Sequence, residues 1–366
     1  MTFPDHVRRF PLRAFCSAAA TLAAISLGAS SADAGPVITW VAPYRVDAAK
    51  AMLQKDFGGG GMKDGLTWLA LQFWVTSGPQ VVQDGNVAGA GFDDKVKWFR
   101  DWGHSHGVKV TLCVTDFVGT WNWPEASRSF NANRAAFVSA LVAEAVRLEL
   151  DGVELDLEGN VEATAAESDG YVAFATDLSS ALHAKGKTVT VASFAAQWNA
   201  PNWKWWPDLM KAVDGVTSMG YESAGKGSTN GYAYPDQKKH AVPPEKLMIG
   251  MPGNMAAWEG NTVIEQLDWV AADGSVGVGI WDCAMDNAAW QTAAVWQRLG
   301  KIRAEHPIAI ARSKAGMPAN PAGAERGAGF EIFAADGRIL KDLRSLRQKR
   351  GGVDIRRSTV SVGKRR

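Results

Sequence analysis

The sequence predicts an α/β fold, specifically a (β/α)8 TIM barrel followed by a flexible, basic C-terminal tail. Three observations lead to this fold class: eight strand-like runs recur along the chain, helical stretches separate most of them, and the composition changes after Pro307. A doubly wound sheet is the alternative for such an alternation. Its first strand would be followed by a glycine-rich phosphate-binding turn, and the chain reads VAPYRVDAAK there.

Residues 1–34 have the features of a secretory signal peptide. An arginine-containing start precedes the apolar run Ala14 to Gly28, which is too short to span a bilayer. The sequence Ala32-Asp33-Ala34 fits the small-residue pattern of a cleavage site. We therefore expect a mature chain that begins at Gly35 and is secreted or periplasmic.

Residues 35–306 contain the alternating elements of the barrel. In chain order the strand-like runs are Val37–Tyr44, Trp68–Thr76, Val108–Asp116, Gly152–Glu158, Thr188–Gln197, Gly215–Glu222, Leu247–Gly253 and Val276–Cys283. The helical stretches are Asp94–His106, Asn133–Leu148, Tyr171–Lys185, Lys204–Val213, Thr262–Ala271 and Ala288–His306. Because Cys113 and Cys283 fall on strands that are not neighbours in such a barrel, we expect two buried free thiols.

Residues 307–366 form the predicted tail. Ala, Gly and Pro dominate as far as Gly329, and a small hairpin is predicted within Phe330–Leu340. From His306 onward the chain has fourteen Lys/Arg and five Asp/Glu, a net charge of +9, so residues 1–305 carry −8 of the total of +1. The acidic barrel argues against a nucleic acid partner, whereas the tail is expected to contact anionic envelope polymers. No segment after the leader is long and apolar enough to predict a membrane span.

The run LDGVELDLEG, Leu150 to Gly159, alternates acidic and aliphatic residues. On a strand, residues two apart share a face, so Glu154, Asp156 and Glu158 point one way and the aliphatic residues point the other way. Such an acidic face could be solvated, could bind a hard cation, or could contain a catalytic acid pair. A closed parallel barrel covers both strand faces, and no metal-ligand spacing is present. These points favour the catalytic acid pair over a solvated face or a metal site.

The active site of such a barrel lies at the carboxyl ends of its strands. Glu158 ends the fourth strand and is therefore expected at the mouth, with Asp156 one step deeper and Glu154 deeper still. Met219 and Tyr221 share one face of the sixth strand, so that the Tyr221 hydroxyl could reach a substrate beside Glu158.

Half of the sixteen tryptophans lie at or just after predicted strand ends. An indole can pack on the apolar face of a sugar ring, so about half of these eight are expected to touch ligand. They are Trp121, Trp123, Trp198, Trp203, Trp205, Trp206, Trp258 and Trp281.

The acidic run resembles the signature Asp-Gly-x-Asp-x-Asp-x-Glu of glycoside hydrolase family 18, the chitinases and endo-β-N-acetylglucosaminidases. Two weaker matches support the resemblance: Met219-Gly220-Tyr221-Glu222 is similar to the Met-x-Tyr-Asp of the family, and Gly279-Ile280-Trp281 with Asp286 is similar to its last strand. The resemblance covers about residues 37–305. Glu154 and Glu222 replace aspartates of the pattern, and the Ser-x-Gly-Gly run on the third strand is absent, so the chain resembles a divergent member.

The resemblance implies a substrate-assisted retaining mechanism without a cofactor. Glu158 would protonate the glycosidic oxygen, and Asp156 would orient the 2-acetamido group of the substrate, with Asp151 and Glu154 in supporting positions. Tyr221 would bind the acetamido oxygen, supported by Met219 and Glu222. Residues expected to bind the sugars are Trp281, Asp286, Trp198, Trp121 and Trp258.

The expected activity is therefore that of an exported hydrolase that cleaves β-1,4 linkages next to N-acetylglucosamine, in chitin-like or N-glycan-core substrates. One alternative is a non-catalytic carbohydrate-binding barrel, although such proteins commonly lose the terminal glutamate that this chain keeps as Glu158. Another is a barrel glycosidase with two protein carboxylates, which would not require an acetamido group.

Overall fold

The computed structural model describes residues 36–158, 164–193, 205–221, 226, 234–241, 246–258, 260–273 and 277–305, and the backbone of 332–333 and 339–340. Its contacts divide the chain into two units, Met1–Ala315 and Gly316–Arg366, which are described separately. None of the described helices is both long and apolar enough to cross a membrane.

Eight parallel strands close into the barrel that the alternation predicts. The strands in chain order are β1 (Val37–Val41), β2 (Trp68–Ser77), β3 (Gln80–Gln83), β4 (Lys109–Thr115), β5 (Gly152–Asp156), β6 (Thr188–Ser193), β7 (Gly215–Ser218), β8 (Leu247–Pro252), β9 (Ala257–Trp258), β10 (Asn261–Thr262) and β11 (Gly277–Trp281). The parallel pairing runs β1-β2-β4-β5-β6-β7-β8-β11 and returns from β11 to β1, which closes the barrel. The predicted (β/α)8 fold is confirmed.

Helices connect successive barrel strands. They are α1 (Val46–Gln54), α2 (Met62–Gly65), α3 (Phe92–Ser105), α4 (Trp123–Ser127), α5 (Arg134–Arg147), α6 (Ala165–His183), α7 (Trp206–Ala212), α8 (Tyr234–His240), α9 (Val263–Asp273) and α10 (Ala293–Glu305). Thr164 caps α6 by accepting from the backbone N–H of Glu167, whose carboxylate accepts from the backbone N–H of Thr164 in return. Such caps and the apolar inner faces of the helices fix the outer layer on the strands.

The barrel has two apolar regions, separated by the strands. The larger one lies between strands and helices and includes Val153 and Leu155 of β5. A smaller cluster, which includes Trp40, Cys113 and Met219, shares the opposite strand faces with the acids. Cys113 and Cys283 are both buried free thiols, as predicted.

Three features of the strands differ from the sequence prediction. The strand predicted over Gly215–Glu222 ends at Ser218, so that Met219 and Tyr221 lie beyond it. β1 ends at Val41 rather than Tyr44, because Pro43 lacks an N–H group and begins a 3-10 turn. The sequence analysis also missed β3, which pairs antiparallel with the end of β2 from Trp74 to Ser77. Gly78 supplies the positive φ of +57° in the tight turn between them. This hairpin projects beyond the barrel at the carboxyl end of β2.

The second unit contains a two-stranded antiparallel ladder. Ile332 pairs with Leu340, and Phe333 pairs with Ile339, in the segment where the sequence predicts a hairpin. The rest of the predicted tail and the predicted signal peptide lie outside the described residues.

Candidate active site

The acidic run places its carboxyls on the inner face of β5, as the alternation predicts. Glu154 is fully buried and Asp156 is 2% exposed, while Val153 and Leu155 pack into the outer core. Gly152 permits close approach to β6, because a Cβ there would lie 2.2 Å from the carbonyl oxygen of Thr188. The strand therefore directs its acids into the barrel by side-chain alternation alone.

Asp151, at the start of the run, lies at the opposite end of the strand. Its Oδ2 accepts a 2.7 Å hydrogen bond from the backbone N–H of Val110 and lies 2.9 Å from His104 Nε2. These contacts join the amino end of β4 to α3. Asp151 thus supports the barrel rather than lining the site.

Asp156 is held by an amide from another strand. Gln72 of β2, which is 7% exposed, donates from Nε2 to Asp156 Oδ2 at 2.7 Å. Burial raises the pKa of Asp156, and hydrogen bonds from Glu158 and Gln72 oppose that rise. Asp156 is therefore the member of the acid pair that ionises first.

Glu158 lies just beyond β5 and is 7% exposed. Its backbone N–H donates to Oδ1 of Asp116, the residue that follows β4, at 2.8 Å. Burial, then the charge of Asp156 and the hydrogen bond to it, raise the pKa of the Glu158 carboxyl well above its ordinary value. Of the two acids, Glu158 is therefore the one that holds a proton more strongly, as a general acid requires.

Glu154, the deepest of the three acids, has its own partner. Thr190 of β6 donates its hydroxyl to Glu154 Oε2. Burial raises the pKa of Glu154 to about 8, although the Thr190 hydrogen bond opposes the rise. Glu154 is thus mainly neutral at pH 7, and the neutral group underlies Asp156 without repelling its charge.

A cavity of about 400 Å³ opens above the acid pair, a size that suits a sugar unit. Its lining combines apolar rings with a few polar groups. The lining residues are Trp40, Pro43, Tyr44, Gln72, Asp84, Asn86, Thr115, Phe117, Trp121, Asp156, Glu158, Ala192, Met219, Tyr221 and Trp281.

Besides the acid pair, four of the predicted site residues line this cavity. Trp281 ends β11 beside Trp40, with ring centroids 6.2 Å apart, and its peptide bond to Asp282 is cis. Met219 and Tyr221 follow β7, and Trp121 follows β4. The Tyr221 ring fits against Gly250 of β8, where a Cβ would lie 2.9 Å from a ring carbon.

Other predicted site residues lie elsewhere. Asp286 is exposed and binds Arg45, whose Nη1 lies 2.8 Å from Asp286 Oδ2. Trp258 belongs to β9, but its side chain is outside the described part of the chain, as are Trp198 and Glu222. Trp123 of α4 packs on Phe130 and Tyr171 in the core.

Several lining residues were missed by the sequence analysis. Gln72 is a lone amide in the apolar run WLALQFWV, which was a usable signal for a functional group in a barrel interior. Asp84 and Asn86 follow the unpredicted hairpin strand β3 and form one wall of the cavity. Asp84 Oδ1 accepts from both the backbone and the side-chain amide of Asn86, at 2.8 and 2.9 Å.

The described residues contain no group of three or more His, Cys, Asp or Glu placed to hold a metal ion. The site places two neighbouring carboxyls under an aromatic cavity, and the pKa of Glu158 is raised more than that of Asp156. The fold and this pair define a barrel hydrolase of the general-acid type.

A family model described as glycosyl hydrolases family 18 matches residues 54–295. That match spans well over half of the chain, which therefore belongs to this family. The chain is a glycoside hydrolase of the chitinase type.

Solved chitinases share the fold at low sequence identity. A chitinase from Chromobacterium violaceum has 18% identity and a TM-score of 0.55, covering 73% of this chain and 99% of its own. A chitinase from Bacteroides thetaiotaomicron has 14% identity and a TM-score of 0.56, covering 78% and 100%. A class V chitinase from Nicotiana, solved with NAG4, has 12% identity and a TM-score of 0.55, covering 74% and 98%. These identities are those of a divergent family member.

Proposed function

We propose that the protein is an exported hydrolase that cleaves β-1,4 linkages adjacent to N-acetylglucosamine by a substrate-assisted retaining mechanism. The observation that carries this proposal is that Asp156 and Glu158, two buried acids from the end of one strand, line the same aromatic cavity. The natural substrates would be chitin-like or N-glycan-core saccharides.

The contact between the two acids argues against a mechanism with two protein carboxylates. Such retaining enzymes place their carboxyls about 5 Å apart, and inverting enzymes about 6.5–9.5 Å apart, on opposite sides of the reacting bond. Asp156 and Glu158 are two residues apart at one strand end and line the cavity from the same side, which does not suit a pair that flanks an anomeric carbon. A nucleophile supplied by the substrate removes the need for a second protein group.

Each step follows from the positions of these groups. Glu158 transfers its proton to the glycosidic oxygen while the 2-acetamido carbonyl oxygen attacks the anomeric carbon, and the leaving sugar departs. Asp156 faces the acetamido N–H and stabilises the positive oxazolinium ion. Glu158, now ionised, takes a proton from water as that water opens the ring, which restores the original anomeric configuration.

The cavity lining supports an N-acetylated substrate. Trp281, which packs beside the buried Trp40, offers an aromatic face to a pyranose ring, and the Tyr221 hydroxyl is available to bind the acetamido oxygen. Burial raises the pKa of Tyr221 well above its ordinary value, so that the phenol stays a hydrogen-bond donor across the working pH range. Ala192 and Met219 leave apolar space suited to the acetamido methyl group.

The test compares chromogenic glycosides that differ only at the sugar 2-position. The proposal expects cleavage of the chitobiose and chitotriose glycosides and at least about 10³-fold lower kcat/KM on the matching glucose glycosides, since these lack the internal nucleophile. Inhibition by a thiazoline analogue of N-acetylglucosamine should accompany this preference. Equal cleavage of both series would contradict the mechanism. Mass spectrometry of products from chitin oligomers and a high-mannose glycopeptide would then identify the preferred polymer.

Export and the role of the tail form a separate part of the proposal. The signal-like residues 1–34 support release of a chain that begins at Gly35, and N-terminal sequencing of the protein outside the cytoplasm tests this. The net charge of +9 from His306 to Arg366 supports contact with anionic envelope polymers. Unchanged binding to acidic polymers after removal of 307–366 would exclude that role.

A further inference from the structure

The carboxyl of Asp116 lies where the pairing of β4 with β5 ends. Parallel pairing of the two strands stops at Thr115 and Asp156. Beyond that point the backbone N–H of Glu158 has no strand carbonyl to bind, and Asp116 Oδ1 accepts it at 2.8 Å. The side chain therefore extends the ladder to the residue that must act as the acid.

We propose that Asp116 is a positioning residue, which fixes Glu158 at the cavity mouth and, through its own charge, extends the pH range over which Glu158 keeps its proton. The inference rests on the proposed function and adds a residue outside the acidic run. Asp116 lies in LCVTDFVG, the stretch in which the Ser-x-Gly-Gly run is missing.

The surroundings of Asp116 make it rigid. The residue is fully buried, and its backbone carbonyl accepts from the N–H of Asn122 at 3.1 Å. The following N–H, that of Phe117, donates to Thr115 Oγ1. Since both flanking backbone groups are bonded, the carboxyl has little freedom to leave Glu158.

The second carboxyl oxygen gives Asp116 its electrostatic effect. Oδ2 is buried and has no hydrogen-bond partner within the described part of the chain. Burial raises the pKa of Asp116 to about 7, with the Glu158 N–H opposing and the charge of Asp156 adding to the rise. Asp116 thus changes charge within the range in which a hydrolase would work.

The charged neighbours determine the direction of the effect. The titratable groups that face this acid cluster are Asp156, Glu154 and Glu158 of the acidic run, Cys113 of β4, Tyr171 of α6 and Tyr221. Burial raises the pKa of the thiol and of both phenols, so these three groups stay neutral. When Asp116 ionises, its charge raises the pKa of Glu158, which favours retention of the catalytic proton as pH rises.

The test uses substitutions that separate charge from hydrogen bonding. Asp116→Asn keeps the size and an acceptor oxygen but removes the charge. Asp116→Ser also removes the charge and keeps an acceptor oxygen on a smaller side chain. In either variant we expect the alkaline limb of the pH profile of kcat/KM to move down by on the order of one pH unit. Asp116→Ala removes the acceptor, and we expect kcat to fall about 10-fold or more with a smaller change in KM.

Asp101→Asn is the matched control, because Asp101 is an exposed acid on α3 and its loss should leave the pH profile unchanged. Profiles of folded Asn and Ser variants that superimpose on the wild-type profile would overturn the inference, as would full kcat in the Ala variant. Glu158→Gln, measured in parallel, separates a failure of this inference from a failure of the proposed function. If Glu158→Gln is inactive while the Asp116 variants behave as the wild type, only the role of Asp116 is contradicted. If Glu158→Gln is active, the proposed function is contradicted.

Discussion

The side-chain amide of Gln72 lies 2.7 Å from Asp156 Oδ2 and joins β2 to β5 across the intervening β4. This hydrogen bond holds one carboxyl oxygen of Asp156, while Asp116 accepts from the backbone N–H of Glu158. The acid pair is therefore oriented from two sides. In the proposed mechanism, that orientation determines where the acetamido group of the substrate is bound.

Gln72→Leu should reduce catalysis while leaving the barrel folded. The variant keeps the apolar stem but removes the donor to a buried charged group, an interaction worth about 1.5–3 kcal/mol. We expect kcat/KM to fall about 10- to 100-fold on a chitotriose glycoside. Gln80→Leu, on the exposed strand β3, is the control and should retain wild-type kinetics. Wild-type kinetics in Gln72→Leu would show that Asp156 needs no partner on β2.

Glu154→Gln should change how stability depends on pH. In the folded state the pKa of Glu154 is about 8, against an ordinary value of 4.5, so its contribution is fully present below pH 4.5 and is lost as pH rises through 8. For one proton, the free energy of unfolding falls by up to about 1.4 kcal/mol per pH unit over this range. Glutamine has no such proton, so the variant should not show this fall. Urea unfolding of both proteins at pH 5 and pH 8 measures the difference in free energy of unfolding between the two pH values. An unchanged difference between the two pH values in the variant would contradict the neutral state of Glu154.

Trp281→Ala should weaken binding of sugar more than it weakens the fold. Trp281 faces the cavity at the end of β11, so its loss removes the aromatic surface on which a pyranose can pack. We expect kcat/KM to fall on the order of 10²-fold. Trp102→Ala is the comparison, because Trp102 lies on α3 against His106 and not in the cavity lining. Equal effects of the two substitutions would exclude a specific sugar contact.

His183→Gln should affect stability without affecting the site. His183 Nε2 lies 2.9 Å from Asp214 Oδ2, and this hydrogen bond raises the pKa of the imidazole above its ordinary value of 6.5. The pair stabilises the fold fully below pH 6.5, and this stabilisation is lost as pH rises through the higher folded pKa. The wild-type Tm should therefore drop more than the variant Tm between pH 6 and pH 8.5. Equal shifts of the two Tm values with pH would contradict this prediction. The kcat values of the two proteins should be the same.

The sequence predicted the barrel because its strongest signals are periodic. The alternation in Gly152–Glu158 determines both the inward face and the order of depth of the acids, since side chains on a strand alternate by geometry. Trp121, Tyr221 and Trp281 were likewise located by their positions at strand ends. Each of these inferences needs only the direction of one strand and the rule that the carboxyl ends of parallel barrel strands meet at the same end of the barrel.

The rest of the site depends on contacts between distant segments. The partner of Asp156 is 84 positions away, and although the lone amide of Gln72 in an apolar run indicates a functional group, no local pattern identifies which acid it binds. Asp116 follows an apolar strand, but its bond to Glu158 depends on where two strands stop pairing. The hairpin strand β3 was missed because its polar residues do not resemble a core strand, although Gly78-Pro79 marked the turn.

Glu158→Gln tests the central claim most directly. The variant keeps the shape of the side chain and its place beside Asp116 but cannot donate the proton to the glycosidic oxygen. On a chitotriose glycoside we predict a loss in kcat on the order of 10²–10⁴-fold, with binding of N-acetylglucosamine oligomers retained. Turnover at the wild-type rate in a folded, oligomer-binding variant would contradict the assignment of Glu158 as the general acid.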